Sequence, residues 1–154
     1  MERHLKQFLD DHHVHYVTRV HPQAFTAQEI AALAHIPGKE MAKTVMVKLD
    51  DELVMAVLPA PDNVSLTRLK EATGAGKTSI ASEQDFRDRF PECELGAMPP
   101  FGNLWDIPVF VDQRLREDEV IAFNGGDHRE LVQIAYTDFE RLVHPTVLNL
   151  STRH

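Results

Sequence analysis

The chain of 154 residues holds a single cysteine, Cys93, which cannot form an internal disulfide and fits a reducing compartment, so a cytoplasmic location is expected. It has no excess of basic charge. The 16 Lys and Arg stand against 24 Asp and Glu, a formal net charge of −8 that argues against coating DNA and against a membrane-surface role. No apolar run approaches the roughly 18 residues that a membrane helix needs, and the opening MERHLKQFLDD has no apolar core, so the chain is expected to be soluble and unprocessed. Internal repeats and low-complexity segments are absent too. Hydrophobic residues nonetheless make up 43%. At this length a folded chain hides on the order of 70% of the surface its unfolded form exposes, so one domain over residues 1–154 is expected, with no need of a metal or disulfide staple.

Several chemistries lack their motifs. There is no G-x-S-x-G elbow for a serine nucleophile. The segment Gly74-Ala75-Gly76-Lys77-Thr78-Ser79 ends like a phosphate loop, but the position where the first glycine belongs is Glu71, and the segment follows a helix and precedes a strand, the reverse of the motif. A helix cap and turn explain it better. His12, His13 and His15 cluster in sequence, yet no carboxylate or cysteine follows at metal-ligand spacing, so a polar turn is expected and no metal or cofactor. Cys93 sits between Glu92 and Glu94, whose like charge is expected to raise its pKa and blunt it as a nucleophile.

Periodicity predicts an amphipathic helix over residues 2–11, with Leu5, Phe8 and Leu9 on one face, and a strand over 15–20. Thr26-Ala27-Gln28-Glu29 is a capping box for a helix burying Ile30, Leu33 and Ala34 before Pro37-Gly38. The apolar runs 44–49 and 53–58 read as a hairpin across Asp50-Asp51-Glu52. A helix over 65–73 closes on Gly74 as a left-handed cap, a strand follows, and Ser82 opens another helix carrying Phe86 and Phe90. After a loop over 91–106, strands are predicted at 107–111, 120–123 and 131–134. A second capping box, Thr137-Asp138-Phe139-Glu140, then starts a last helix, before a final strand over 146–150. The hairpins forbid a regular parallel series, so the fold class is mixed α/β: a curved, mostly antiparallel mixed sheet flanked by helices.

Two features point to a site. Residues 36–80 carry six basic and six acidic side chains, whereas 81–140 carry five and fourteen, so an anionic ligand is expected to approach through the first half. There, Ala42-Lys43-Thr44-Val45 puts a lysine at the start of an apolar strand, where its cation either meets an anion or guards a strand edge against aggregation. In Gly96-Ala97-Met98-Pro99-Pro100-Phe101-Gly102, glycines permit close approach and prolines fix φ. The segment is either a rigid wall offering backbone N–H and C=O groups to a ligand or an ordinary stiff loop.

His21-Pro22, Thr26-Ala27-Gln28-Glu29, Ala42-Lys43-Thr44, Val57-Leu58-Pro59, the residues 96–102, Val109 to Asp112, Phe123 to His128 and Thr137-Asp138-Phe139-Glu140, in that order, resemble the YbaK/ProX-like aminoacyl-tRNA editing domain family over nearly the whole chain. The resemblance implies a free-standing deacylase that hydrolyses the ester of mischarged tRNA, with a small amino acid on tRNA for proline as the expected substrate. It implies Lys43 as the essential cation, Thr44 lining the same pocket, and Gly96, Ala97, Met98, Pro99 and Pro100 clamping the acyl end. Met98 and Phe101 are expected to set pocket size, with Gly102 closing the loop and His21, Gly126, Asp127 and His128 bordering it. Lys43-Thr44 is similar to the cysteine-type pattern while His128 is similar to the other branch, so the amino acid stays open. The implied partners are the acceptor end of aminoacyl-tRNA and an aminoacyl-tRNA synthetase. A non-catalytic module that binds either of them is the alternative.

Overall fold

The computed structural model describes residues 1–152; the last two residues of the span 1–154 lie outside it. The first helix, α1 (Arg3–Asp11), buries Leu5 and Leu9 and is capped by Glu2, whose carboxylate accepts from the His4 and Leu5 backbone N–H groups at 2.9 and 2.8 Å. After β1 (Tyr16–Val20), α2 (Ala27–Leu33) starts on Thr26, whose Oγ1 accepts from Glu29 N at 3.1 Å. The return arm of the expected capping box differs, because the Glu29 carboxylate takes the Thr26 hydroxyl at 2.9 Å. The buried face of α2 is also shifted. Ile30, Ala31 and Ala34 point inward while Leu33 is 45% exposed, since positions i, i+1 and i+4 share an arc that i+3 falls outside once the helix turns its i+1 side to the core.

The hairpin β2 (Ala42–Leu49) and β3 (Glu52–Pro59) pairs Lys43 with Leu58 and Thr44 with Val57. Both faces of β3 are covered. Met55 and Val57 join the main core with Phe101, Val111 and Phe123, and Val54, Ala56 and Leu58 join a second cluster with Leu69 and Leu150, which is why this strand reads as an unbroken apolar run. A short β4 (Asn63–Val64) leads to α3 (Leu66–Thr73), capped by Ser65 and closed by Gly74 at φ 74°, as its sequence predicts. Then come β5 (Thr78–Ile80), α4 (Glu83–Phe86), β6 (Val109–Asp112), β7 (Val120–Asn124), β8 (Glu130–Ala135), α5 (Tyr136–Val143), β9 (Thr146–Leu148) and β10 (Ser151–Thr152).

The strands form a five-stranded sheet, β5-β2-β3-β6-β9, a three-stranded sheet, β1-β8-β7, and the pair β10-β4. Only β3-β6 and β6-β9 run parallel. The fold is therefore mixed α/β and mostly antiparallel, with its strands divided among sheets. A parallel bridge between Met41 and Ala122 brings the start of β2 beside the end of β7. Several boundaries differ from expectation: the helix opened by Ser82 ends at Phe86 and leaves Phe90 outside it, β6 starts at Val109 rather than Ile107, and β2 starts at Ala42 rather than Thr44. The last helix begins at Tyr136, with Thr137 inside it, because the Tyr136 N–H is already taken by Glu119 O at 2.9 Å and no threonine cap is needed. The last strand ends at Leu148 rather than Leu150, and the Leu150 N–H turns to the buried Asp112 carboxylate at 3.1 Å before β10 pairs with β4.

Candidate active site

Where β2 starts, a cavity of about 430 Å³ opens between the two larger sheets. Ala42, Lys43 and Thr44 line it from β2, Thr26, Ala27 and Gln28 from the start of α2, and Ala60 from just beyond β3. Gly96 and Met98 of the proline-braced loop and Asn124 at the end of β7 complete the wall. The two features that the sequence singles out thus share one hollow. Of the six basic residues in the stretch 36–80, only Lys43 lines it, and among the described residues no carboxylate does.

Lys43 is half-buried, and burial pulls its ammonium below the ordinary lysine range, opposed in part by the charge of Asp62. Asp62 is itself buried and committed elsewhere, to the Arg114 guanidinium and to Ser151 Oγ at 3.1 Å. Among the described residues the Lys43 ammonium makes no hydrogen bond or ion pair. The cavity therefore presents an uncompensated cation, whose natural complement is an anion or a carbonyl that gains negative charge during reaction.

The loop divides its labour. Gly96 has φ +86° and lines the cavity, and a Cβ there would lie 3.5 Å from His128 Nε2. Among the described residues the N–H groups of Gly96 and Met98 donate to no backbone group, whereas Ala97 N is bound to Glu94 O at 3.1 Å. Two donors are thus free beside the hollow. Met98 lines it, as expected of a residue setting pocket size, but Phe101 does not. Its ring is buried against Phe8, Phe123 and Phe139, with centroids at 6.1, 5.5 and 5.7 Å, and anchors the loop from within the core. Ala97, Pro99 and Pro100 are buried behind the wall. Gly102 is glycine for packing rather than for a ligand, since a Cβ would come within 2.3 Å of Ile107 O.

His128 is 5% exposed and holds the Glu94 carboxylate at 2.8 Å through Nδ1, with Glu94 N bound to Gly126 O at 2.8 Å. With the carboxylate accepting, Nδ1 donates to it and Nε2 lies on the Gly96 side of the ring, and His128 is not among the residues that line the cavity. The remaining residues expected to border the pocket shape the chain around it. Asp127 accepts from Arg129 N and Glu130 N at 2.8 Å each, closing the β7–β8 turn. Gly126, at φ +118°, makes room for Glu2. His21 is buried with Nδ1 on Pro22 O at 2.8 Å and Nε2 unpartnered, and it does not line the cavity.

Asn124 escaped the sequence reading. It is 8% exposed, it lines the cavity, and its Oδ1 is buried without a hydrogen-bond partner. The available signal was an amide ending the apolar run 120–123 just before two glycines.

The rival motifs lie elsewhere. The Gly76 and Lys77 N–H groups, which a phosphate would need, donate to the Asp50 carboxylate at 3.3 and 2.9 Å. His12, His13 and His15 are exposed, and among the described residues the one gathering of three metal-capable side chains is Glu2, His4 and Glu92. Cys93 is pushed up to about 12, by burial first and then by Glu2 and Glu92, so the larger cause is desolvation rather than the flanking glutamates. Among the described residues no helix is long and apolar enough to cross a membrane.

The model of the aminoacyl-tRNA editing domain matches residues 21–142. Proline–tRNA ligases are similar in sequence. That of Streptococcus pneumoniae serotype 4 is 29% identical over 115 residues, 73% of this chain and 18% of the ligase, and that of Bacillus cereus strain AH187 is 25% identical over 91 residues, 59% and 16%. The chain thus spans less than a fifth of the length of these relatives. Among solved structures, a candidate trans-editing enzyme for prolyl tRNA synthetase superposes with a TM-score of 0.84 at 18% identity, covering 98% of this chain and 96% of that one. A hypothetical protein superposes with a TM-score of 0.86, also at 18% identity, covering 97% and 99%. These two likenesses concern the fold. With the family model matching 21–142, a stretch that contains the whole cavity wall, the chain belongs to the aminoacyl-tRNA editing domain family.

Proposed function

We propose that this chain, acting as a single domain, hydrolyses the ester of a mischarged aminoacyl-tRNA, with a small amino acid on tRNA for proline as substrate. The observation that carries the reading is the shared hollow. A lysine without an ion-pair partner, two residues whose backbone N–H groups donate to no backbone group and an amide whose buried oxygen has no partner all line one space of about 430 Å³, large enough for a small aminoacyl group and the ribose that bears it.

Each group then has a role. Asn124, at the cavity wall, turns its amide so that Oδ1 accepts from the amino group of the amino acid, which satisfies an oxygen otherwise buried without a partner. The Gly96 and Met98 N–H groups receive the carbonyl oxygen and stabilise it as it gains charge, and Met98 limits the size of the side chain admitted. Lys43 supplies positive charge to the same oxygen or to the terminal phosphate. Its low dielectric surroundings strengthen that interaction. His128, oriented by Glu94, is the group beside Gly96 able to accept a proton from water as it attacks the carbonyl carbon, and to return it to the departing ribose oxygen. An ester is activated enough that positioning and charge suffice without a covalent enzyme intermediate.

A panel of tRNAs for proline charged with alanine, cysteine, serine or proline, incubated with wild type and with Lys43→Ala, tests the reading. Loss of at least one non-cognate ester well above the buffer rate, abolished in the alanine variant, is expected. If no ester is lost faster than in buffer, or if Lys43→Ala is equally active, the reading is wrong. Binding of charged tRNA without turnover would make the protein a recognition module.

A further inference from the structure

Next in the chain to the cavity-lining Thr26 is an aromatic ring that neither the core nor the groups above account for. Phe25 is 66% exposed, yet its neighbours in the chain are fixed. Ala24 is buried with its N–H on His128 O at 3.3 Å, and Thr26 caps α2 and lines the cavity. The Phe25 ring lies against the His128 imidazole, with centroids 5.2 Å apart and planes at 53°. One side of the ring is therefore backed by a buried imidazole while most of its surface meets solvent, next to the residues that form the cavity wall. A large apolar side chain held in this way loses little further freedom when a flat partner lies on it.

We propose that Phe25, backed by His128, is a stacking platform for the 3′-terminal nucleobase of the substrate. The inference rests on the deacylase reading above and adds the part of the substrate that the cavity does not hold. When the acyl group sits between Gly96 and Asn124, the ribose fills the rest of the hollow, and the base it carries emerges at the rim formed by the start of α2. An exposed aromatic at that rim takes any base by its π-face, without reading its edge. This suits a domain in which, among the described residues, the only cavity-lining charge is Lys43: stacking contributes affinity for the acceptor end that a net charge of −8 does not provide.

The test uses wild type, Phe25→Ala and Phe25→Trp, with two probes: the trinucleotide CCA and the same trinucleotide with its terminal base removed. Phe25→Ala is expected to bind CCA about 5- to 150-fold more weakly than wild type, the range for a lost base–aromatic stack, and to bind the abasic probe as wild type does. The emission of Phe25→Trp, corrected for Trp105 with the wild-type protein, is expected to be quenched by CCA and not by the abasic probe. A second measurement is the ratio of kcat/KM for an aminoacyl 3′-ester of adenosine to that for the methyl ester of the same amino acid. The ratio is expected to fall by a similar factor in Phe25→Ala, through KM, and to survive in Phe25→Trp. Equal binding of CCA by wild type and Phe25→Ala, or an unchanged ester ratio, overturns the platform. The two failures are separable. If CCA binding depends on residue 25 and on the base while no ester is hydrolysed, the deacylase reading falls and the platform stands; if esters are hydrolysed regardless of residue 25, the reverse holds.

Discussion

A half-buried ammonium with no carboxylate of its own is a cost to the folded chain that a bound ligand relieves, and Lys43 shows both sides of this. Its pKa is lowered in the folded state, so the folded state releases its proton before the unfolded state does. The cost is fully present while both states are protonated and is relieved as pH rises from the lowered pKa toward the ordinary lysine value of 10.5. Lys43→Met is therefore expected to melt above wild type at neutral pH, with the difference closing as pH passes 10.5, while deacylation is lost. Thermal melts across pH check the first and the charged-tRNA assay the second. A melting temperature lower than wild type at neutral pH would show that the ammonium stabilises the empty site. In wild type, activity is expected to decline on the alkaline side before the ordinary lysine range is reached. At this scale the sequence showed Lys43 well, because a cation at the head of an apolar strand is visible in one dimension. Asn124 was hidden for the opposite reason: an amide at a strand end is commonplace, and only coordinates reveal that its oxygen is left without a partner.

Local pattern carries an element when the element satisfies its own backbone, and fails when a distant segment does so. Helix α3, with Ser65 at one end and Gly74 at the other, is self-contained and was legible; α5 borrows Glu119 O at its start, and the capping signature at Thr137 misleads by two residues, the cap being Ala135. The loop over 94–102 shows the same division, since its two glycines look alike in sequence and do different things. Gly96→Ala must hold alanine at φ +86° and place a methyl 3.5 Å from His128 Nε2, at a cost of about 1 kcal/mol in backbone strain. It is expected to fold, to melt only about 2–4 °C lower, and to lose at least about tenfold in kcat/KM as the methyl covers the imidazole and crowds the free N–H groups. Gly102→Ala must fit a methyl where Ile107 O stands 2.3 Å away and Val109 Cγ2 2.7 Å away, so the expected cost is about 1–3 kcal/mol or more of stability. Paired melts and deacylation assays separate the two. Gly102→Ala should lose activity in step with folded protein, and Gly96→Ala should lose it while still folded.

The site belongs to no single sheet. Its lysine comes from the five-stranded sheet and its amide from the three-stranded one, and the bridge between Met41 and Ala122 is what sets them facing. Periodicity resolves strands but not which sheet each one joins, so the division of the strands and the seam between them were not legible in the sequence. The consequence for substrate binding is electrostatic. With a net charge of −8 and one cation in the cavity wall, the protein neutralises few phosphates, and each phosphate contact on a single strand contributes roughly 0.7 to the slope of log K against log salt. Binding of tRNA for proline, measured by competition across 50–300 mM salt, is expected to show a slope between about −1 and −3, as for a grip confined to the acceptor end. Lys43→Met should make that slope shallower by about one contact if the ammonium meets the terminal phosphate, and leave it unchanged if it serves the carbonyl oxygen alone. A slope steeper than about −5 would require a basic surface that this chain does not supply, and would mean that a second protein carries the body of the tRNA.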